Sequence, residues 1–239
     1  MLDCISVDNM RQSDTMTIEK YVPSLELMRR AAEGVFRAVC WHGKVAIVVG
    51  SGNNGGDGFA LACILRRENI ECAVFTVSQR LSEDSAYYAV RAEELGVTIL
   101  PFTPGCLDGF DMVVDCLLGT GFQGGLRDNY HVAIEEINAS GAEVISVDIN
   151  SGMHGDTGEG QLIVRSDLTV TIGFVKHGLV TENAGRHMKR LVCVDIGIRL
   201  TKEEMKICDE NEHHPNAIPR PNWLDMTVIK VATERKNHE

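Results

Sequence analysis

The unbroken apolar run Val45-Ala46-Ile47-Val48-Val49 constrains the fold more than any other feature of this sequence. A strand with one wet face alternates polar and apolar residues. A run without alternation suits a strand covered on both faces, as in a parallel sheet held between helices. Comparable runs recur at residues 72–77, 97–100, 111–118, 144–149, 168–174 and 191–196, with helical patterns at 59–67, 82–95 and 132–137 between them. Strands alternating with helices predict an α/β protein: a three-layer, Rossmann-like fold with a mostly parallel central sheet and helices on both faces. Ahead of the first run, two helices are expected. The second opens at Pro23-Ser24 and sets Met28, Ala31, Ala32, Val35 and Val39 on one side. That stripe is expected to pack either on the sheet or against a second copy of the chain. After Leu200 the pattern dissolves. The expected domain therefore covers residues 1–205 and a polar tail covers 206–239, with residues 228–231 suited to an edge strand.

Composition narrows the function classes. The net charge of −11 over 239 residues argues against a nucleic-acid surface, which needs clustered Lys and Arg, and against an anionic membrane surface. No apolar run approaches the roughly 20 residues that span a bilayer. None of the eight cysteines forms a C-x-x-C pair, so buried, reduced thiols in a cytoplasmic protein are expected. His131, His154 and His177 read as structural or exposed, and His213-His214 as solvated.

The first strand leads into Gly50-Ser51-Gly52-Asn53-Asn54-Gly55-Gly56-Asp57-Gly58. A G-x-G-x-x-G pattern between strand and helix has the setting of a dinucleotide fingerprint. Two features argue against ordinary use. The acidic residue expected at the end of the second strand is absent, since that strand ends Thr76-Val77-Ser78-Gln79. Asp57, placed at the start of the helix, would satisfy the helix dipole and repel a phosphate there. Two adjacent Asn side chains suit hydroxyls, amides or a cation.

Two further strand ends are polar. One holds Asp115 within an apolar run, followed by Gly119-Thr120-Gly121-Phe122-Gln123-Gly124-Gly125, whose main-chain N–H groups suit phosphate oxygens. The other reads Val147-Asp148-Ile149-Asn150-Ser151-Gly152. Ligands of open α/β sheets sit beyond the C-terminal strand ends, so Asp57, Asp115 and Asp148 are expected to share one crevice. Three carboxylates together call for a cation or shifted protonation, and Asn54, Asp115 and Ser151 form an oxygen-rich set for a hard cation. Alternatively each aspartate only caps a helix or turn.

Taken together, G-S-G-N-N-G-G-D-G, V-V-D-C-L-L-G-T-G, V-D-I-N-S-G, G-D-T-G, the stretch from Asp167 to Phe174, and Lys176 with Gly178-Leu179 resemble the NAD(P)H-hydrate epimerase, or YjeF N-terminal domain, family over residues 5–200. The resemblance implies interconversion of the R and S hydrates of NADH and NADPH at carbon 6 of the nicotinamide ring, as cofactor repair. It implies substrate contacts from Asn53, Asn54, Gly55, Gly56 and Asp57, from Gly119 through Gly125, and from Asp148. It also implies a potassium ion on Asn54, Asp115 and Ser151, a homodimer, and a separate dehydratase as working partner. Asp148 is the expected general acid/base, and Asp148→Asn is expected to abolish the reaction with the fold intact. Asn150 stands where the family usually has Pro, and Arg29-Arg30-Ala31-Ala32 departs from the family's usual residues after Met28. The competing readings are a non-catalytic nucleotide-binding or scaffold domain, an NAD(P)-dependent oxidoreductase, and a phosphosugar- or nucleotide-binding enzyme on the same fold.

Overall fold

The chain opens with a short strand, β1 (Leu2–Ile5), and two helices, α1 (Val7–Lys20) and α2 (Ser24–Ala38). The computed structural model describes residues 2–208 and 215–231, and the expected solvation of His213 and His214 falls outside them. Ser6 caps α1 by accepting the Asn9 N–H on its side chain. Next come β2 (Val45–Val49), α3 (Asn53–Arg67), β3 (Cys72–Thr76), α4 (Glu83–Glu94), β4 (Thr98–Pro101), β5 (Met112–Cys116), α5 (Asp128–Ala139) and β6 (Glu143–Val147). The described chain continues through β7 (Leu168–Ile172), β8 (Val175–Lys176), β9 (Leu191–Asp195), β10 (Met205–Cys208), β11 (Ala217–Pro219) and β12 (Met226–Lys230).

Eight strands form one sheet in the order β12-β9-β7-β6-β5-β2-β3-β4, and every neighbouring pair is parallel. The first run explains why both faces are covered. Val45, Ile47 and Val49 join one core with α2 and α3 residues such as Ala31, Phe59 and Leu65. Ala46 and Val48 join a second core with Tyr130, Ala133 and Ile134 of α5. Successive strand side chains point to opposite faces, so a run buried on both sides has no place for a polar residue.

From β2 the chain winds outward through β3 to β4, then returns to the other side of β2 and winds the opposite way through β5, β6 and β7. The reversal lies between β2 and β5, whose C-terminal ends carry the two glycine-rich segments. That is the crevice where doubly wound sheets take their ligands.

The N-terminal stripe is buried within the chain: Leu27, Met28, Ala31, Ala32 and Val35 pack in the α2–α3 core beneath the sheet. Strand β12 pairs along β9 from Met226 to Lys230, at the edge where the sequence favoured one. Two features are absent from the sequence reading. A second sheet of order β11-β10-β1-β8 covers Leu191 and Cys193 of β9, and its strand β10 begins at Met205 and runs across the expected boundary between residues 205 and 206. Helix α3 begins at Asn53, six residues before the expected start. All eight cysteines are free, and Cys4, Cys63, Cys116, Cys193 and Cys208 are buried. No described helix is long and apolar enough to cross a membrane.

Candidate active site

A cleft of about 620 Å³ lies over the reversal point, walled by α1, the start of α3 and the segment after β5. Its floor depends on a close backbone approach. A β-carbon on Gly55 would lie 2.4 Å from the Gly50 carbonyl, and one on Gly50 would lie 1.9 Å from the Leu117 carbonyl. Helix α3 can therefore start directly off β2 only with glycine at these positions. This corrects the placement of Asp57: it is not at the helix start but one turn in, and the first turn holds no acidic residue. The Asn53 and Asn54 N–H groups head the helix without intrahelical partners. Gly55 and Gly56, expected among the substrate contacts, are buried in packing and do not line the cleft.

Asp148 follows β6 in a strained turn. Its φ is +69°, and the Ile149 N–H donates to the Val147 carbonyl across it at 2.9 Å, which closes a γ-turn. Non-glycine residues persist in this conformation only where their surroundings fix them, most often at functional sites. Here they do so on three sides. The Asp148 N–H donates to Val170 O at 2.8 Å. The Thr120 N–H donates to Oδ2 at 3.0 Å. Lys176 Nζ donates to Oδ1 at 2.5 Å. Lys176 is wholly buried and directs its remaining donors to Thr171 Oγ1 at 2.9 Å and Ile172 O at 2.8 Å. The sequence pattern contained Lys176 without giving it a role. Its signal was a lysine directly after the apolar residues Phe174-Val175.

Asp115 is also wholly buried, but beneath the cleft and not along it. The three expected carboxylates therefore do not share one surface: Asp57 and Asp148 line the cleft and Asp115 underlies it. Asp115 Oδ1 accepts from Ser151 Oγ at 2.5 Å and Leu117 N at 3.2 Å. Its Oδ2 accepts from Ser146 Oγ and Ser151 N, both at 2.9 Å. Burial pushes this carboxyl up, and the hydrogen bonds from Ser151, Leu117 and Ser146 oppose the push. Ser151 Oγ in turn accepts the Leu118 N–H at 2.9 Å, which anchors the segment before Gly119. A β-carbon on Gly119 would meet Asp148 Oδ2 at 2.8 Å and Asn54 Cβ at 3.2 Å, so this glycine lets the two side chains close on one point.

Asn54 is 8 % exposed, and neither its Nδ2 nor its Oδ1 has a hydrogen-bond partner among the described residues. An orphaned buried amide carries a desolvation penalty of about 1–3 kcal/mol that a ligand would relieve. Asn150 fills the family's proline position differently. It is buried and donates to Val164 O, Ser166 Oγ and His187 O while accepting from Thr169 Oγ1, which pins the strand exit from behind.

The cleft is lined by Asp14, Asp57, Asp84 and Asp148, by Arg11 and Arg127, and by Thr120, Gly121, Phe122, Gln123 and Gly125. Gly124 does not line it. Arg11 Nη2 donates to Thr120 O at 3.1 Å and ties α1 to that segment. Asp57 accepts no hydrogen bond among the described residues. Burial pushes its carboxyl well above the ordinary range, with Asp148 and Asp14 adding to the rise and Lys176 opposing it. Burial, then Asp148, also raises Asp14. None of His131, His154 and His177 lines the cleft.

The rise at Asp57 has a stability consequence. A folded-state value above the unfolded one stabilises the fold below the unfolded value, and that contribution is lost as pH climbs toward the folded value. Asp57→Asn cannot ionise. Its urea midpoint should match the parent near about pH 4, where an unperturbed aspartate titrates, and exceed it at pH 8. Equal midpoints at pH 8 would show that Asp57 is not held protonated by its surroundings.

The fold is that of a doubly wound α/β protein with a cleft at its topological switch point, lined by carboxylates and amides. The family model described as YjeF-related protein N-terminus matches residues 24–178. The NAD(P)H-hydrate epimerase of Limosilactobacillus fermentum is 33% identical over 199 residues, which cover 80% of this chain and 95% of that one. The bifunctional NAD(P)H-hydrate repair enzyme of Coxiella burnetii is 33% identical over 79% of this chain and 40% of its own length. The crystal structure of yeast ynu0 superposes with a TM-score of 0.68 at 23% identity, covering 78% of this chain and 86% of that one, and supports the fold alone. The chain belongs to the NAD(P)H-hydrate epimerase, or YjeF N-terminal domain, family.

Proposed function

We infer that this chain epimerises the R and S hydrates of NADH and NADPH at carbon 6 of the nicotinamide ring. The carrying observation is Asp148, fixed in a strained turn where it lines the switch-point cleft. There it can exchange a proton with a substrate hydroxyl. The segment from Gly119 to Gly125 and the N-terminus of α3 at Asn53 and Asn54 suit the diphosphate and ribose groups. A non-catalytic scaffold needs neither a strained carboxylate nor a buried lysine to hold it. A dehydratase that consumes the S hydrate is the implied partner, consistent with a bifunctional relative that joins two repair activities in one chain.

A potassium ion fits Asn54, Asp115 and Ser151. The orphaned Asn54 amide needs a partner, and Asp115 is a buried acid with no cationic side chain paired to it among the described residues. When bound, potassium supplies positive charge that favours ionised Asp115. The Asn54 oxygen and Ser151 hydroxyl are neutral ligands of the hard-cation type.

The test mixes both hydrates with an S-specific dehydratase until the S form is exhausted and then adds this protein. The residual R hydrate should be converted to reduced cofactor, and no further conversion would refute the reading. Sodium in place of potassium should slow the conversion several-fold, because a smaller cation fits the same ligand set poorly.

A further inference from the structure

Asp57 and Asp148 reach the cleft from different elements and in opposite electrostatic settings. Both oxygens of Asp148 accept hydrogen bonds, from the Lys176 ammonium and the Thr120 amide. All three Lys176 donors are engaged, by Asp148, Thr171 and Ile172, which fixes the ammonium in place. Asp57 accepts no hydrogen bond among the described residues, and the acids Asp148, Asp14 and Asp84 act on it from after β6, from α1 and from the start of α4, with Lys176 acting against them. One group is equipped to receive a proton and the other to give one.

We propose that the two acids divide the reaction: Asp57 is the catalytic acid that protonates the departing carbon 6 hydroxyl, and Asp148 is the base for water returning on the opposite face, with Lys176 its positioning residue. This rests on the epimerase reading. The carbon 6–oxygen bond breaks with its electron pair on oxygen, oxygen takes the Asp57 proton and leaves as water, and the ring nitrogen's pair forms the nitrogen–carbon 6 double bond. A water oxygen then bonds to carbon 6 from the other face, the nitrogen recovers its pair, and the water's proton passes to Asp148. Nothing is oxidised or reduced. The cycle ends with Asp57 ionised and Asp148 protonated, and solvent exchange resets both. The same steps reversed carry S to R. The upward push on the Asp57 carboxyl by burial agrees with this division.

The mechanism predicts that each epimerisation replaces the carbon 6 oxygen with one from solvent. In ¹⁸O-labelled water, isolated R hydrate turned over by the full chain should yield S hydrate with one label per event above the uncatalysed background. Asp57→Asn should lower kcat by about 10²–10⁴-fold with KM within about threefold, since a lost general acid acts only in the transition state. Retention of the original oxygen, as in ring opening and reclosure, would overturn the proposal. So would near-parental kcat in Asp57→Asn, or a larger kcat loss in Asp14→Asn than in Asp57→Asn. A parent protein that leaves the R hydrate unchanged refutes the epimerase reading instead.

Discussion

Asp148→Asn should abolish epimerisation and, unless Lys176 is changed with it, should also weaken the fold. Activity should fall about 10²–10⁴-fold, the usual contribution of a general base. Asn tolerates the positive φ at this position, so the turn itself survives the change. The stability loss has another source. Lys176 is wholly buried, and the substitution leaves its ammonium without a counter-charge. Removing one partner of a buried ion pair costs about 3–5 kcal/mol. This revises the expectation of an intact fold that Asp148 alone suggests. The double variant Asp148→Asn/Lys176→Met should regain most of the lost stability, since methionine fills the lysine's volume without a charge, while remaining inactive. Urea denaturation of the parent, both single variants and the double variant, alongside the coupled assay, checks this. A stability for Asp148→Asn equal to the parent would remove the ion pair from the account. Activity regained in the double variant would remove Asp148 from the chemistry.

Much of this site was readable because parallel sheets gather their strand ends. Once residues 45–49, 111–118 and 144–149 read as strands, Asn54, Asp57, Asp115 and Asp148 had to lie near one edge. What could not be read depended on contacts distant in sequence. Lys176 acquires meaning only through Asp148, 28 positions earlier. An aspartate within an apolar run, as at Asp115, points to a buried partner, but the partners of Asp115 are hydroxyl and amide donors, whereas the buried cation belongs to Asp148. The start of α3 was missed for a related reason. Gly55 and Gly56 are poor helix formers by propensity, but the approach of Gly50 to the helix excludes any side chain at Gly55. Tertiary packing overrides the local preference. The four residues of β1 are too few to show periodicity, and they become a strand through β8 and β10.

Asp115→Ala should be among the most destabilising single substitutions in the described chain, at about 4 kcal/mol, because it strands four inward donors at roughly 1 kcal/mol each. Those donors are Ser151 Oγ, Ser151 N, Ser146 Oγ and Leu117 N. Asp115→Asn is informative because of its shape. Each carboxylate oxygen accepts one main-chain N–H, from Leu117 on one side and Ser151 on the other. The serine hydroxyls can rotate to accept from an amide, but the main-chain N–H groups cannot. Whichever way the amide is turned, its NH₂ opposes a main-chain donor, so the isosteric change should still cost about 1–3 kcal/mol. The same variant separates the structural role of Asp115 from its proposed role toward potassium. A cation that binds only the folded state raises the unfolding midpoint with its concentration. The parent midpoint should therefore rise in potassium chloride relative to choline chloride at equal ionic strength, and Asp115→Asn should lose most of that difference. A potassium response preserved in Asp115→Asn would place any bound cation elsewhere and leave Asp115 as the anchor that holds Ser151, and through it Leu118, beneath the cleft.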